Sequence, residues 1–158
     1  DMTRSRGLGD VYKRQTSEVM RLHANGQVTK PNQPMCCFNV SNTSAGNYMS
    51  HNSVLTNNGN HYNTGNGRFT CPVAGFYFAT VMVMSNNNDQ TMDIELRKNQ
   101  INPNNILVPY SAATGGSYNQ AVGSCIIDCA AGDYLQFKLN SGSVYAGRHS
   151  SISFCLLA

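Results

Sequence analysis

Cysteines have the widest chemical repertoire in this sequence, since they can ligate metals, form disulfides or act as nucleophiles. The six cysteines are Cys36, Cys37, Cys71, Cys125, Cys129 and Cys155. None belongs to a C-x-x-C pair. Cys36 and Cys37 are adjacent in a predicted strand and face opposite ways, while Cys125 and Cys129 share a face but lie too far apart along it to grip one metal ion. We expect small buried side chains, with disulfides as the second alternative and zinc as a distant third.

The histidines and carboxylates also lack the spacing that catalysis requires. His23, His51, His61 and His149 lie in polar contexts without an H-x-x-x-H pair, and we interpret them as surface or turn residues. Asp93 and Glu95 share the polar face of a predicted strand, where we expect a solvated pair. The sequence therefore predicts no enzyme activity and no cofactor.

Two segments rich in Gly, 56–67 and 114–117, lack the lysine and the following helix of a phosphate-binding loop, and we predict that they are loops. Their amides and aromatic rings suit sugar hydroxyls and the apolar faces of sugars, although ordinary turn chemistry also explains them. The candidate ligand-binding residues, which include a tyrosine just after the second segment, are Asn58, Asn60, Tyr62, Asn63 and Tyr118.

The composition of the chain sets limits on the elements that could position these residues. Its 158 residues suit one domain, and the abundant Asn, Gly, Ser and Thr favour turns over helices. No apolar stretch approaches the ~18–20 residues of a membrane span. The net charge of +3 is concentrated in residues 1–15, which hold four of the eleven basic residues. We therefore expect a soluble all-β domain that neither binds nucleic acid nor inserts into membranes.

Short apolar runs separated by Asn and Gly clusters follow Pro34, as is typical of a β-sandwich or barrel. The predicted strands are 35–40, a piece near 54–55, 75–84, 91–99, 105–110, 120–129, 133–140 and 151–158. Clean alternation in 92–97 and 134–139 predicts one buried and one wet face. Segment 75–84 is apolar on both sides, so we expect a neighbouring subunit to cover the side that the core does not use.

The stretch "GRFTCPVAGFYF", with Phe69, Pro72, Gly75, Tyr77 and Phe78, resembles the signature of the complement C1q globular domain. "AGDYLQFKL" and the closing "SISFCLLA" are similar to later strands of that family, although Cys155 stands where the family commonly has Gly. The resemblance covers residues 34–158. It implies a ten-strand antiparallel jelly-roll sandwich of the C1q and tumour necrosis factor type, assembled as a tight homotrimer.

From this resemblance we predict two sets of structural residues. The predicted trimer interface is Tyr77, Val81, Val83 and Phe154, and the predicted core is Phe69, Phe78, Leu135 and Phe137. Some trimers of this family carry calcium, but no D-x-D-x-D-G loop is present and a calcium site cannot be placed on these residues.

The first 33 residues precede the region that resembles the C1q domain. Residues 1–15, ending in "DVYKRQ", resemble the translation of a sequencing adapter, and we interpret them as an artefact that obscures the true N-terminus. Residues 16–33 are interpreted as a linker or the end of a stalk module, in which "HANGQV" is either a tight hairpin or part of a disordered tail. "SEVMRLHANGQVTKPNQP" is similar to a segment that precedes the terminal head domain of marine phage tail-fibre proteins.

The sequence therefore predicts a non-catalytic, C-terminal trimeric head on an extracellular or virion-surface structural protein, which binds a cell-surface glycan or protein. A secreted animal C1q-domain lectin of innate immunity is the first alternative. A fibre-borne glycan hydrolase is the second, and the lack of a clustered carboxylate pair weighs against it.

Overall fold

A computed structural model describes residues 20–87, 90–101, 107–111 and 118–157. In these ranges every regular element is a strand, and none is a helix that could span a membrane. The strands are β1 Arg21–Leu22, β2 Val28–Thr29, β3 Met35–Val40, β4 Thr43–Ser44, β5 His51–Asn58, β6 Tyr62–Asn63, β7 Arg68–Thr70, β8 Gly75–Met84, β9 Met92–Lys98, β10 Leu107–Ser111, β11 Gln120–Cys129, β12 Tyr134–Ser141, β13 Ser143–Val144 and β14 Gly147–Leu156.

Ten of these strands form two five-stranded antiparallel sheets. Sheet I has the order β11-β8-β14-β3-β5, and sheet II has the order β10-β9-β12-β7-β6. The short strands β4 and β13 pair separately. The inward side chains of both sheets form one continuous apolar core. This arrangement confirms the predicted all-β jelly-roll sandwich of ten strands.

Aromatic rings fill the centre of the sandwich. The Phe154 ring of β14 stacks on Phe69 of β7 at a centroid distance of 5.3 Å and on Phe137 of β12 at 5.5 Å. Tyr77 of β8 meets the Phe69 ring edge-on at 6.0 Å. Leu135 lies in the same core, so three of the four predicted core residues (Phe69, Leu135 and Phe137) are buried there.

The prediction for the two faces of β8 was wrong. Tyr77, Val81 and Val83 point into the sandwich and are fully buried, whereas Phe78 lies half-buried on the outer side. Phe154 is also a core residue rather than an interface residue. The inward side of β8 must fit against the phenylalanine rings of the core. Its small and β-branched side chains leave room for those rings. The tyrosine is tolerated inside because its hydroxyl donates to the Val73 carbonyl oxygen at 2.8 Å.

The observed strand bounds follow the apolar runs closely. β3, β8 and β11 match the predicted ranges, while the last strand, β14, begins four residues earlier than predicted. Four strands of two or three residues (β4, β6, β7 and β13) were not predicted as strands. In such short pieces the tertiary context outweighs any periodicity.

The chain forms two compact units, the first ending at Gln33 and the second beginning at Pro34. Both large sheets belong to the second unit. In the first unit, β1 and β2 pair as the hairpin that "HANGQV" suggested. Gly26 has a φ of +83° and its N–H donates to the His23 carbonyl oxygen at 2.9 Å. Residues 1–15, interpreted as an adapter translation, and the loop 114–117 lie outside the described residues.

Candidate functional site

The outer side of sheet I carries large apolar side chains that the sandwich leaves in contact with solvent. They come mainly from β8 and β11: Phe76 is 54% exposed, Met82 41%, Val122 55% and Ile126 59%. Met35 of β3 and the half-buried Phe78 lie on the same side. These six residues are called the apolar face below. A surface of this kind marks an interaction site more often than scattered single residues do.

The strand register arranges the apolar face in rows that run across sheet I. One row contains Ile126, Phe78, Cys155 and Met35, and a second contains Val122, Met82, Ser151 and Asn39. Between them runs a row of small residues, namely Ser124, Thr80, Ser153, Cys37 and Thr56. None of these rows contains a charged residue. Another protein surface could therefore pack against these three rows without desolvating a charge. Phe76, at the end of β8, instead lies beside the exposed Asp128, its cross-strand neighbour on the same side.

Tyr62, predicted to bind ligand, is a structural residue instead. Its side chain is 2% exposed, and its ring stacks on Phe38 at 4.4 Å. The Asn57 side chain accepts from the Tyr62 N–H and donates to the Tyr62 carbonyl oxygen, both at 2.9 Å. Burial and these bonds explain why the tyrosine cannot present its ring to a sugar.

The segment 56–67, predicted as a loop, contains the end of β5 and all of β6, and its other candidate asparagines lie nearer the surface. Asn60 and Asn63 are exposed, and Asn58 is partly exposed. The Asn63 side chain accepts from the Gly65 N–H at 2.8 Å, and Asn60 has a φ of 57°. The amide of Asn63 thus holds the local turn, which is the role expected of asparagine in loops.

Tyr118 belongs to a group of exposed aromatic rings that the sequence did not reveal. Its ring meets the Tyr145 ring edge-on, with the ring centroids 6.2 Å apart. The Tyr145 ring also meets the His149 ring edge-on, at a centroid distance of 5.5 Å. The backbone of Tyr145 is fixed, because its N–H donates to the Met84 carbonyl oxygen at 2.8 Å and its own carbonyl accepts from the Ser150 hydroxyl at 2.7 Å. We call Tyr118, Tyr145 and His149 the aromatic patch.

A second constellation lies at the turn between β11 and β12. Asp133 accepts from the Asn99 side chain at 2.7 Å and from the Ala130 N–H at 2.8 Å. These two hydrogen bonds lower the pKa of the Asp133 carboxyl. Asn99 in turn accepts from the Tyr134 N–H, so the carboxylate fastens the turn to the end of β9.

One carboxylate differs from the sequence-based expectation. Glu95, predicted to be solvated, is 5% exposed, pairs with Arg97 and accepts a hydrogen bond from Asn140 at 3.3 Å. Its carboxylate therefore takes part in a structural ion pair with Arg97. Asp93, on the same strand, is only partly exposed.

The six cysteines are all free thiols. Burial raises the pKa of Cys36 to about 12 and also raises the pKa values of Cys125 and Cys155. These three thiols are consequently poor nucleophiles near neutral pH. Across the described ranges, no group of three His, Cys, Asp or Glu side chains could hold a metal ion.

The sequence was compared with protein families and with individual proteins. The model of the C1q domain matches residues 37–155. Complement C1q tumor necrosis factor-related protein 3 of Mus musculus is 30% identical over 101 residues, which cover 64% of this chain and 39% of that protein. Complement C1q and tumor necrosis factor-related protein 9B of Homo sapiens is 31% identical over 96 residues, covering 60% and 26%. The chain thus spans about two fifths or less of the length of these relatives.

Solved structures share the fold at low sequence identity. The globular domain of zebrafish complement 1qA protein matches with a TM-score of 0.64 and 12% identity, covering 80% of this chain and 98% of that one. Murine APRIL matches with a TM-score of 0.58 and 12% identity, covering 79% and 99%. Both matches concern the sandwich architecture alone.

Proposed function

Because the chain belongs to the C1q domain family, we propose that it is the non-catalytic, trimeric recognition head of a longer extracellular or virion structural protein. C1q and tumour necrosis factor domains generally form trimers, and the C1q family is generally non-catalytic. The observation that carries the proposal is the apolar face, which a single sandwich leaves uncovered.

In this proposal the trimer interface is the apolar face instead of the residues that the sequence suggested. Phe76, Phe78 and Met82 of β8 would meet a neighbouring copy together with Val122 and Ile126 of β11. Burying these side chains removes apolar area from water at a gain of about 25 cal/mol per Å². A closed ring of three copies leaves no unpaired copy of the surface.

For ligand binding, the aromatic patch is the preferred element, with Asn58, Asn60 and Asn63 as secondary candidates. Aromatic rings pack against the apolar faces of sugars, and His149 adds a polar group beside them. Three weak sites held in one rigid trimer would gain affinity for a multivalent glycan through effective concentration. A cell-surface protein is the other ligand class compatible with such a patch.

The recognition head could belong to either of two kinds of protein, a virion structural protein or a secreted animal protein. The segment 17–34, which resembles phage tail-fibre proteins, favours the virion. The mouse and human relatives favour an animal C1q-domain recognition protein. The upstream gene sequence separates the two, because a collagen-like Gly-x-y stalk would indicate the animal protein and a fibre module the virion.

The test of the proposal is the mass of the protein in solution, measured by light scattering on a size-exclusion column. A mass near three times that of the 17.2 kDa chain supports the trimeric head. A stable monomer would overturn both the interface and the avidity mechanism. Incubating the trimer with glycans should yield binding without cleavage, whereas cleavage would point to the hydrolase alternative.

A further inference from the structure

Two connections between the sheets run side by side in this sandwich. Residues 71–74 lead from β7 in sheet II to β8 in sheet I, and residues 130–133 lead from β11 back to β12. They are hydrogen-bonded to each other: the Gly132 N–H donates to the Cys71 carbonyl oxygen at 2.8 Å, and the Cys71 N–H donates to the Asp133 carbonyl oxygen at 2.7 Å. Cys71 is therefore fixed beside the turn that starts directly after Cys129.

The two cysteine side chains meet inside the sandwich. Cys71 continues the inward side of Phe69, and Cys129 continues the inward side of Ile127; the two thiols are 0% and 2% exposed. The backbone hydrogen bonds between Cys71 and residues 132–133 bring the two sulfurs close to each other. Their interaction raises the pKa of Cys71 and lowers the pKa of Cys129, and Lys98 lowers the pKa of Cys129 further.

We propose that Cys71 and Cys129 form a disulfide that ties the two connections together whenever the chain folds in an oxidising environment. Because both side chains point into the core from adjacent, hydrogen-bonded connections, only a small movement is needed to bring the sulfurs to the S–S bond length of about 2.05 Å. The bond would link sheet I to sheet II at one end of the sandwich.

The oxidant is a small-molecule disulfide such as oxidised glutathione. In the chain before the sandwich closes, the thiolate of either cysteine, for example that of Cys129, attacks one glutathione sulfur, which forms a mixed disulfide and releases one glutathione thiolate. Cys71 then loses its proton, and its sulfur attacks the Cys129 sulfur and displaces the second glutathione. The two cysteines lose two electrons, and one glutathione disulfide becomes two thiols. Because both sulfurs are buried in the finished fold, the exchange takes place before the sandwich closes over them.

Two other pairs of cysteines are not arranged for such a bond. Cys36 and Cys155 lie on neighbouring strands, but Cys36 is buried and Cys155 lies in the outer row with Phe78. Cys125 lies four residues from Cys129 on β11, which is about 13 Å along a strand. A disulfide requires side chains that face each other and Cα atoms within about 7 Å. Cys36 and Cys155 fail the first condition and Cys125 and Cys129 fail the second, so either pair would need rebuilt strands.

Peptide mapping of the full chain tests the pair directly. The reduced, unfolded protein is refolded in a glutathione redox buffer, alkylated, and cleaved with trypsin and an Asp-specific protease that cuts before aspartate. These cuts place Cys71 in peptide 69–88, Cys125 in 99–127 and Cys129 in 128–132. We expect peptide 69–88 linked to peptide 128–132. Finding both cysteines alkylated, or either one linked to another cysteine, would overturn the proposal.

A stability measurement gives an independent readout. The bond closes a loop of about sixty residues, so the oxidised protein should melt roughly 5–15 °C above the reduced protein. The variant Cys125→Ser should keep this difference, whereas Cys129→Ser should lose it. Since each variant is compared with its own reduced form, destabilisation by the substitution itself does not confuse the result. An unchanged difference in Cys129→Ser would contradict the pairing.

Discussion

Ile126 of β11 and Phe78 of β8 are direct cross-strand neighbours on the outer side of sheet I, where no part of the described sandwich covers Ile126. If a second copy covers them, a charge at this point would be taken out of water in the interface, at a cost of several kcal/mol per interface. We expect Ile126→Lys to convert the trimer to a folded monomer. Light scattering measures the mass, and far-ultraviolet circular dichroism checks that the strands persist.

The matched control for this substitution is Ile101→Lys. Ile101 is 70% exposed and bridges to Lys98 at the end of β9 in sheet II, away from the apolar face. The variant should remain a trimer. Loss of the trimer in both variants would show that added charge, and not the apolar face, causes dissociation.

The two sides of β8 should respond differently to truncation. Val81→Ala removes buried methyl groups and should lower the free energy of unfolding by about 2–3 kcal/mol. Met82→Ala, one residue further on the exposed side, should cost less than about 1 kcal/mol. Urea unfolding in the monomeric Ile126→Lys background compares them without the contribution of assembly. Equal losses would contradict the observed orientation of the strand.

Asp133 should make the fold sensitive to acid. Its pKa is lower in the folded chain than in the unfolded chain, so the stabilisation is fully present above the ordinary carboxyl pKa of about 4. It is lost as the pH falls through the lower, folded-state value. Asp133→Asn should therefore reduce the melting temperature by a few degrees at pH 7 and by less at pH 3. A scanning calorimetry series from pH 3 to pH 7 provides the test, and a gap that stays constant with pH would refute it.

The aromatic patch should dominate sugar binding if the head is a lectin. Tyr145→Ala removes the ring that contacts both Tyr118 and His149, and we expect binding to fall at least about tenfold on a glycan array. Asn60→Ala, at a secondary candidate in the exposed loop after β5, is the comparison variant and should bind nearly as well as the wild type. The reverse order of effects would move the site to the asparagine loop.

Much of the fold could be predicted from local pattern. The continuous apolar run of β8 and the alternation in β9 and β12 define strands because each side chain must face either the core or the outside. The same pattern cannot say which side of a doubly apolar strand faces inward. For β8 that choice depends on the rings of Phe69 and Phe154, which belong to other strands.

Less of the candidate site than of the fold could be predicted from the sequence. Tyr62 looked like a loop residue, but it packs on Phe38, which lies more than twenty positions earlier. Tyr118 was chosen by residue type alone, while its partner Tyr145 is brought to it by the paths of β11 and β14. Cys71 and Cys129 are brought together by the two connections 71–74 and 130–133, which run side by side. The spacing of the two cysteines in the sequence does not indicate this.

The position of β14 in the middle of sheet I also sets the order of events during synthesis. β3 and β5 can pair early, and β8 and β11 can pair later, but only β14 joins these two halves. β14 is made more than a hundred residues after β3, which is about 5–20 s at ordinary rates of translation. The edge of β3 is open for that time and the edge of β8 for the later part of it, so newly made copies on one messenger RNA are exposed to cross-pairing until β14 emerges.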